Sequence, residues 1–165
     1  MNELLYDTAR LVLGAADVRC RAWVRLMNRF RDRGSVYLAR FCSNRLKRYG
    51  MYVSSTARIA RSVAFPHPTG IVIGAGVEIE ENVRIFQSVT LGGARIGDWQ
   101  AGRYPKIGRG TTIFAGAVIV GDIHIGENCT IGANSVVLSD VPANSTCVGA
   151  PARVINQKPI ERASR

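Results

Sequence analysis

From residue 53 onward an aliphatic or aromatic residue returns every six positions, and this period constrains the fold of the 165-residue chain more than any other feature. Units open on Val53, Ile59 and Phe65, then after a two-residue shift on Ile73, Ile79, Ile85 and Leu91. After an insertion the count resumes on Ile107, Ile113, Ile119, Ile125, Ile131 and Val137, and the array ends over 143–149. An amphipathic helix repeats at about 3.6 residues, and a hairpin meander needs longer strands bounded by turns, so neither fits. The period predicts short strands stacked as coils, three units closing one triangular turn. The first residue of each unit points inward. The fifth is small or β-branched, as at Val83, Val89, Thr111, Ala117, Cys129 and Ser135, and Gly, Asn or Asp makes the turn. Each strand pairs with the one above, which satisfies backbone groups and buries a ladder of Ile and Val. Such an interior is a stack rather than a pocket, so function is expected where the repeat is interrupted.

Residues 4–49 carry a different pattern. Apolar residues recur at helical spacing in Trp23, Leu26, Met27 and Phe30, and again in Leu38, Phe41, Cys42 and Leu46, with Gly14, Gly34 and Gly50 as helix ends. The formal net charge of +10 is concentrated at the two ends: residues 1–50 carry +7, 51–150 are neutral and 151–165 carry +3. The arginines at 19, 21, 25, 29, 31 and 33 read either as attraction to an anionic membrane surface or lipid-linked substrate, or as a solvated helix face packed on a neighbouring subunit. Nucleic acid is not expected as a partner, because no recognition motif or aromatic platform accompanies the basic residues. The expected organisation is a basic α-helical segment over 1–50, a coil domain over 51–150 with an insertion at 92–106, and a C-terminal tail over 151–165.

Cys20, Cys42, Cys129 and Cys147 show no CxxC spacing in a chain long enough to build a core, which favours a reducing, cytoplasmic compartment over a disulfide framework and disfavours zinc. Cys129 and Cys147 fall on fifth positions and are expected to pack inward. No apolar run approaches the roughly 18 residues of a membrane span, and no secretory leader is expected.

Two segments break the period: Phe65–Gly70, which reads FPHPTG, and Gly92–Lys106, which reads GGARIGDWQAGRYPK. His67, one of two histidines, stands between prolines that fix φ and remove backbone donors, giving a rigid presentation. A rigid imidazole suits a general base and is equally found in structural roles. His124 closes a regular unit and is given no role.

The runs HPTGIVIGAGVEIEENVRIFQSVTLGG (67–93) and KIGRGTTIFAGAVIVGDIHIGENCTIGANSVVLSDVP (106–142), with VGAPARVI at 148–155, closely resemble the serine acetyltransferases of the hexapeptide acyltransferase superfamily. The resemblance implies a mainly β fold, a left-handed parallel β-helix of hexapeptide repeats preceded by a short α-helical segment, assembled as a homotrimer with sites in clefts between subunits. It implies acetyl-CoA as co-substrate, no metal, and direct acetyl transfer to a hydroxyl. His67 matches the catalytic base, with backbone N–H groups stabilising the oxyanion. Gly93, Ala115 and Ala133 match positions where the main chain approaches the pantetheine arm, although turn geometry alone also accounts for small residues there. Pro151 and Arg153 match the end of the coil, near the nucleotide.

This sequence departs from the family pattern at Pro66, where an acidic residue is usual, and at Tyr104, where a second histidine is usual. A looser resemblance, carried by PHPTG and YPKIG, is to related enzymes of exopolysaccharide assembly. The acceptor is therefore a saccharide hydroxyl or that of L-serine, with the saccharide favoured and Asp98, Arg103 and Tyr104 expected on its side of the site, together with Trp99. The competing expectation is a non-catalytic trimeric β-helix that binds a ligand or serves as a scaffold.

Overall fold

The computed structural model describes residues 3–157. Three helices come first: α1 (Glu3–Leu13), α2 (Ala16–Asp32) and α3 (Val36–Leu46), followed by a 3₁₀ turn over Lys47–Tyr49. Gly14, Gly34 and Gly50 stand just beyond these elements, and the last two have φ of 76° and 73°, a left-handed conformation that glycine adopts without steric cost. The core-facing residues of α2 are Cys20, Val24, Leu26 and Met27, and those of α3 are Ala39, Cys42 and Leu46. The spacing of three and four gives each helix one buried face, packed on the neighbouring helices and on the first coil.

Residues 52–157 form fourteen strands: β1 Tyr52–Val53, β2 Arg58–Ile59, β3 Val72–Ile73, β4 Glu78–Ile79, β5 Arg84–Ile85, β6 Thr90–Gly92, β7 Lys106–Ile107, β8 Thr112–Ile113, β9 Val118–Val120, β10 His124–Ile125, β11 Thr130–Ile131, β12 Val136–Val137, β13 Ser145–Gly149 and β14 Ala152–Gln157. They make three sheets that wall a triangular prism. The first has the order β1-β3-β6-β9-β12, the second β10-β7-β4-β2 and the third β14-β13-β11-β8-β5. Every pairing is parallel except that of β14 with β13. The C-terminal segment expected as a tail thus begins with a strand that turns back on the third sheet, and residues 158–165 lie outside the described residues.

Parallel register places first-position residues in continuous inward ladders: Val53, Ile73, Leu91, Ile119 and Val137 in the first sheet, and Ile59, Ile79, Ile107 and Ile125 in the second. All are buried. The fifth-position residues Ala57, Val63, Val77, Val83, Val89, Ala117 and Cys129 complete the interior. Two buried fifth positions are polar and satisfied within the stack. Thr111 Oγ1 donates to the Gly126 carbonyl at 2.9 Å and accepts from the Cys129 N–H at 3.1 Å, while Ser135 Oγ accepts from the Gly149 N–H at 3.2 Å.

The outward columns differ in chemistry from sheet to sheet. The first sheet shows Tyr52, Val72, Thr90, Val118 and Val136, the second Arg58, Glu78, Lys106 and His124, and the third Arg84, Thr112, Thr130 and Thr146. Only the first is apolar along most of its length, and it is the wall between the two edges described next.

Candidate active site

The interruption at Phe65–Gly70 forms the edge where the third sheet passes into the first. Phe65 and Pro68 are buried and pin the turn, leaving His67 exposed between them. The His67 carbonyl accepts from the Thr69 N–H at 2.8 Å, and the Thr69 carbonyl accepts from the Ser88 N–H of the next coil at 2.8 Å, so the turn is fixed to the stack above. The imidazole lies 6.0 Å from the Phe86 ring, and Phe86 stacks on Phe114 at 5.2 Å with an interplanar angle of 17°. His67 therefore begins an aromatic column that climbs this edge. No hydrogen bond or ion pair to its ring is found among the described residues. Pro66, where the family pattern has an acid, offers none.

Continuing the register of β5, β8, β11 and β13 places Gln87, Ala115, Ala133 and Gly149 in successive coils above His67. Backbone bonds confirm the stacking of two of these steps: the Gln87 carbonyl accepts from Gly116 and the Ala115 carbonyl from Asn134. With neighbouring strands about 4.8 Å apart, four steps span about 19 Å. At the top, the β13–β14 hairpin carries Pro151 and Arg153 in exposed positions, with Arg153 opposite Val148. His67, Ala115, Ala133, Pro151 and Arg153 thus share one edge. The column runs from the imidazole past Gln87 and two alanines to the hairpin that carries Arg153, whose Nη1 donates to the Ala152 carbonyl at 2.8 Å.

The other proposed site residues occupy the opposite edge of the first sheet, where it passes into the second. The insertion leaves at Gly92, forms the short helix α4 (Asp98–Ala101) and returns at Lys106, as the break in the repeat predicts. Asp98 is buried, and its Oδ2 accepts from the N–H groups of Ala94 and Arg95, each at 2.7 Å. That carboxylate folds the insertion. Gly93 is glycine for the same reason, since a Cβ there would lie 2.8 Å from the Asp98 Cβ. Tyr104 is only 8% exposed, and its ring lies flat on the turn after β3. A Cβ at Gly76 would come within 2.3 Å of the Tyr104 Cδ2, and one at Gly74 within 2.9 Å of its Cε1. Tyr104 is thus the clamp that holds the insertion to the coil. Arg103 is exposed and lines, with Ala94, Asp98, Val120 and Asp122, a cleft of about 420 Å³ between the insertion and the later coils. Trp99 is exposed on the outer side of α4.

One chain therefore brings together five of the ten proposed residues and leaves Gly93, Asp98, Trp99, Arg103 and Tyr104 at the far edge of the first sheet. Sequence reasoning missed Phe86, Phe114 and Gln87. The signal was present: an Ile-Phe pair recurs in two units, Ile85-Phe86 and Ile113-Phe114, which the register makes neighbours. Gln87 Oε1 is buried without a hydrogen-bond partner, on the coil above His67.

Neither Cys129 nor Cys147 belongs to this edge. Both are buried in the stack, and burial pushes their thiols above the ordinary value. Among the described residues no group of three or more His, Cys, Asp and Glu side chains could hold a metal ion.

Residues 104–139 match the family model described as bacterial transferase hexapeptide (six repeats). A serine acetyltransferase from Salmonella typhimurium is 40% identical over 134 residues, covering 81% of this chain and 48% of the relative. A solved serine acetyltransferase in complex with CoA superposes with a TM-score of 0.75 at 35% identity, covering 89% of this chain and 60% of that one. The serine acetyltransferase from Brucella abortus strain S19 superposes with a TM-score of 0.79 at 32% identity, covering 94% of this chain and 68% of that one. The chain belongs to the serine acetyltransferase family. Its prism is accordingly a left-handed parallel β-helix. The chain spans about half the length of the curated serine acetyltransferases it matches.

Proposed function

We propose that the protein is an O-acetyltransferase that moves the acetyl group of acetyl-CoA to a hydroxyl acceptor, with His67 as general base. The observation that carries this is the edge on which His67, Ala115 and Ala133 rise to Gly149 over about 19 Å, with Pro151 and Arg153 on the hairpin beyond. An extended pantetheine arm suits an edge where Ala115 and Ala133 keep side chains short, and the Arg153 guanidinium suits the phosphates of the nucleotide part. Acetyl-CoA supplies an activated acyl group. His67 takes the proton of the acceptor hydroxyl as the oxygen attacks, then returns that proton to the departing thiolate, so no acyl-enzyme is needed. The rigid turn, with buried residues on both sides of the imidazole, keeps the base from swinging away.

The reading includes a homotrimer. The apolar outward column of the first sheet supports burial against a second copy, and that contact would bring the far edge of one subunit, with Gly93 and Arg103, to the His67 edge of its neighbour. We further propose a saccharide hydroxyl as acceptor in preference to L-serine, because Pro66 and the clamped Tyr104 replace the charged groups expected to serve a free amino acid. A lipid-linked saccharide would be met at an anionic membrane surface, toward which the basic helical segment is drawn.

The test is release of free thiol from acetyl-CoA with saccharide, serine and homoserine acceptors. Turnover well above hydrolysis with a saccharide supports the whole reading, and turnover with serine alone overturns the acceptor while leaving the transfer. If no acceptor exceeds hydrolysis and CoA still binds, the non-catalytic alternative stands. His67→Ala is expected to lower kcat by ~100- to 10,000-fold with little change in CoA affinity; unchanged turnover removes the assigned base.

A further inference from the structure

Helix α3 buries Ala39, Cys42 and Leu46 against α2 and the first coil, which uses the stripe that a surface helix ordinarily has. The opposite side presents Tyr37 and Phe41 beside the exposed Arg40 and Asn44, with Val36 and Leu38 on its two flanks; Tyr37 is 87% and Phe41 53% exposed. Phe41 packs edge-on against Trp23 of α2 at 6.1 Å, and the Arg45 guanidinium sits over both rings, 5.5 Å from Trp23 and 5.7 Å from Phe41. The result is an aromatic platform with a cation laid on it. Aromatic and aliphatic tips exposed together in this way mark an interaction surface.

The charge around the platform selects the occupant. Helix α3 carries Arg40 and Arg45 and no acidic residue, and the 3₁₀ turn that follows adds Lys47 and Arg48. A second copy applied through this same face would set like charges against like. Nucleic acid would pair with the cations but would leave Val36 and Leu38 against a charged backbone. An interface rich in acyl chains and anionic headgroups answers both needs: aromatic and aliphatic tips enter shallowly, and arginine and lysine keep their heads at the phosphate level. Among the described residues no helix is long and apolar enough to cross a membrane, so the contact lies on the surface.

We infer that the exposed face of α3, built on Tyr37, Leu38, Phe41 and Arg45, is a docking face for an anionic lipid bilayer. The inference sharpens the membrane reading above by naming the element that makes contact, and it does not depend on acetyl transfer.

The test is flotation of the full chain with vesicles of phosphatidylcholine alone and with added phosphatidylglycerol. Binding to the anionic vesicles only, released by salt, is expected. The double variant Tyr37→Ser with Phe41→Ser should bind at least ~10-fold more weakly. Arg58→Glu, on the outward face of the second sheet away from α3, alters charge without touching the aromatic face and should change binding by less than about threefold. Hydroxyl-radical labelling of Tyr37 in the unmodified protein, with and without vesicles, reads the same contact without a substitution, and protection is expected. Absence of binding, equal binding to neutral vesicles, or labelling of Tyr37 unaffected by vesicles overturns the inference. So does a change of assembled mass in the double variant, which would mean that a second copy covers this face. Thiol release with a soluble acceptor should be unchanged in the α3 variant, so loss of docking and loss of catalysis are separately visible.

Discussion

Cys20 shows how a single side chain reports its surroundings. Burial, with the Asp17 carboxylate adding to it, pushes its thiol to about 12, and burial pushes Cys42 to about 11. A thiol whose folded pKa is raised contributes stability that is complete below the unfolded value near 8.5 and is lost as pH rises toward the folded value. Thermal unfolding should therefore fall steadily between about pH 9 and 11, and less steeply in Cys20→Ala than in the unmodified protein, as calorimetry at stepped pH would show. At pH 8 all four cysteines should resist iodoacetamide until denaturant is added, which mass spectrometry reads directly. Thr111 makes the complementary point with a hydroxyl. It occupies a fifth position where the neighbouring units carry Val or Ala, and its Oγ1 bridges Gly126 and Cys129. Thr111→Val keeps the shape and removes the bridge, leaving a buried N–H and carbonyl to find new partners, and should cost about 1–3 kcal/mol in denaturant unfolding.

The insertion is the element whose existence was plain and whose construction was not. The break in the six-residue count put its limits at 92–106, and the strands stop and restart at Gly92 and Lys106. Asp98 and Arg103 read as facing an acceptor through the looser resemblance to exopolysaccharide enzymes, and Tyr104 because it stands where the family pattern has a second histidine. The structure spends Asp98 on two backbone N–H groups and lays Tyr104 across Gly74 and Gly76. Neither use is encoded locally, since the glycines that receive the ring lie some thirty residues upstream. Gly76→Ala should displace the Tyr104 ring and free the insertion, seen as faster proteolysis between Gly92 and Lys106 while the unfolding midpoint of the coils changes little. If cleavage is no faster, the clamp is not what holds the insertion. The helices tell the opposite story, because apolar spacing and the punctuating glycines were sufficient to place α2 and α3.

For the whole molecule the first sheet is decisive, because the proposed residues lie on its two edges. If two copies share each site, a preparation of His67→Ala mixed with Gly93→Leu should regain activity after dissociation and reassociation, while each variant alone stays low. Lack of recovery in verified mixed assemblies would place a complete site within one chain. Val72→Lys, on the apolar outward column of the same sheet, should reduce the assembled mass measured by sedimentation and lower activity with it.

A six-residue period with an apolar first position is enough to dictate stacked triangular coils, because only that arrangement buries every repeat while pairing every backbone group. The two interruptions, and the histidine held between prolines, were legible for the same reason: a departure from a strict period is visible in one dimension. Which residues meet was not. His67 and Phe86 are separated by nineteen positions and Ala133 by many more, and they share an edge only because the coils stack in register. Gly93 and Tyr104, although next to the count on either side, are carried to the opposite edge by the turn of the prism. Sequence distance measures progress along the chain, while contact in a solenoid depends on the phase of each residue within its coil, and that phase is set when the strands pair.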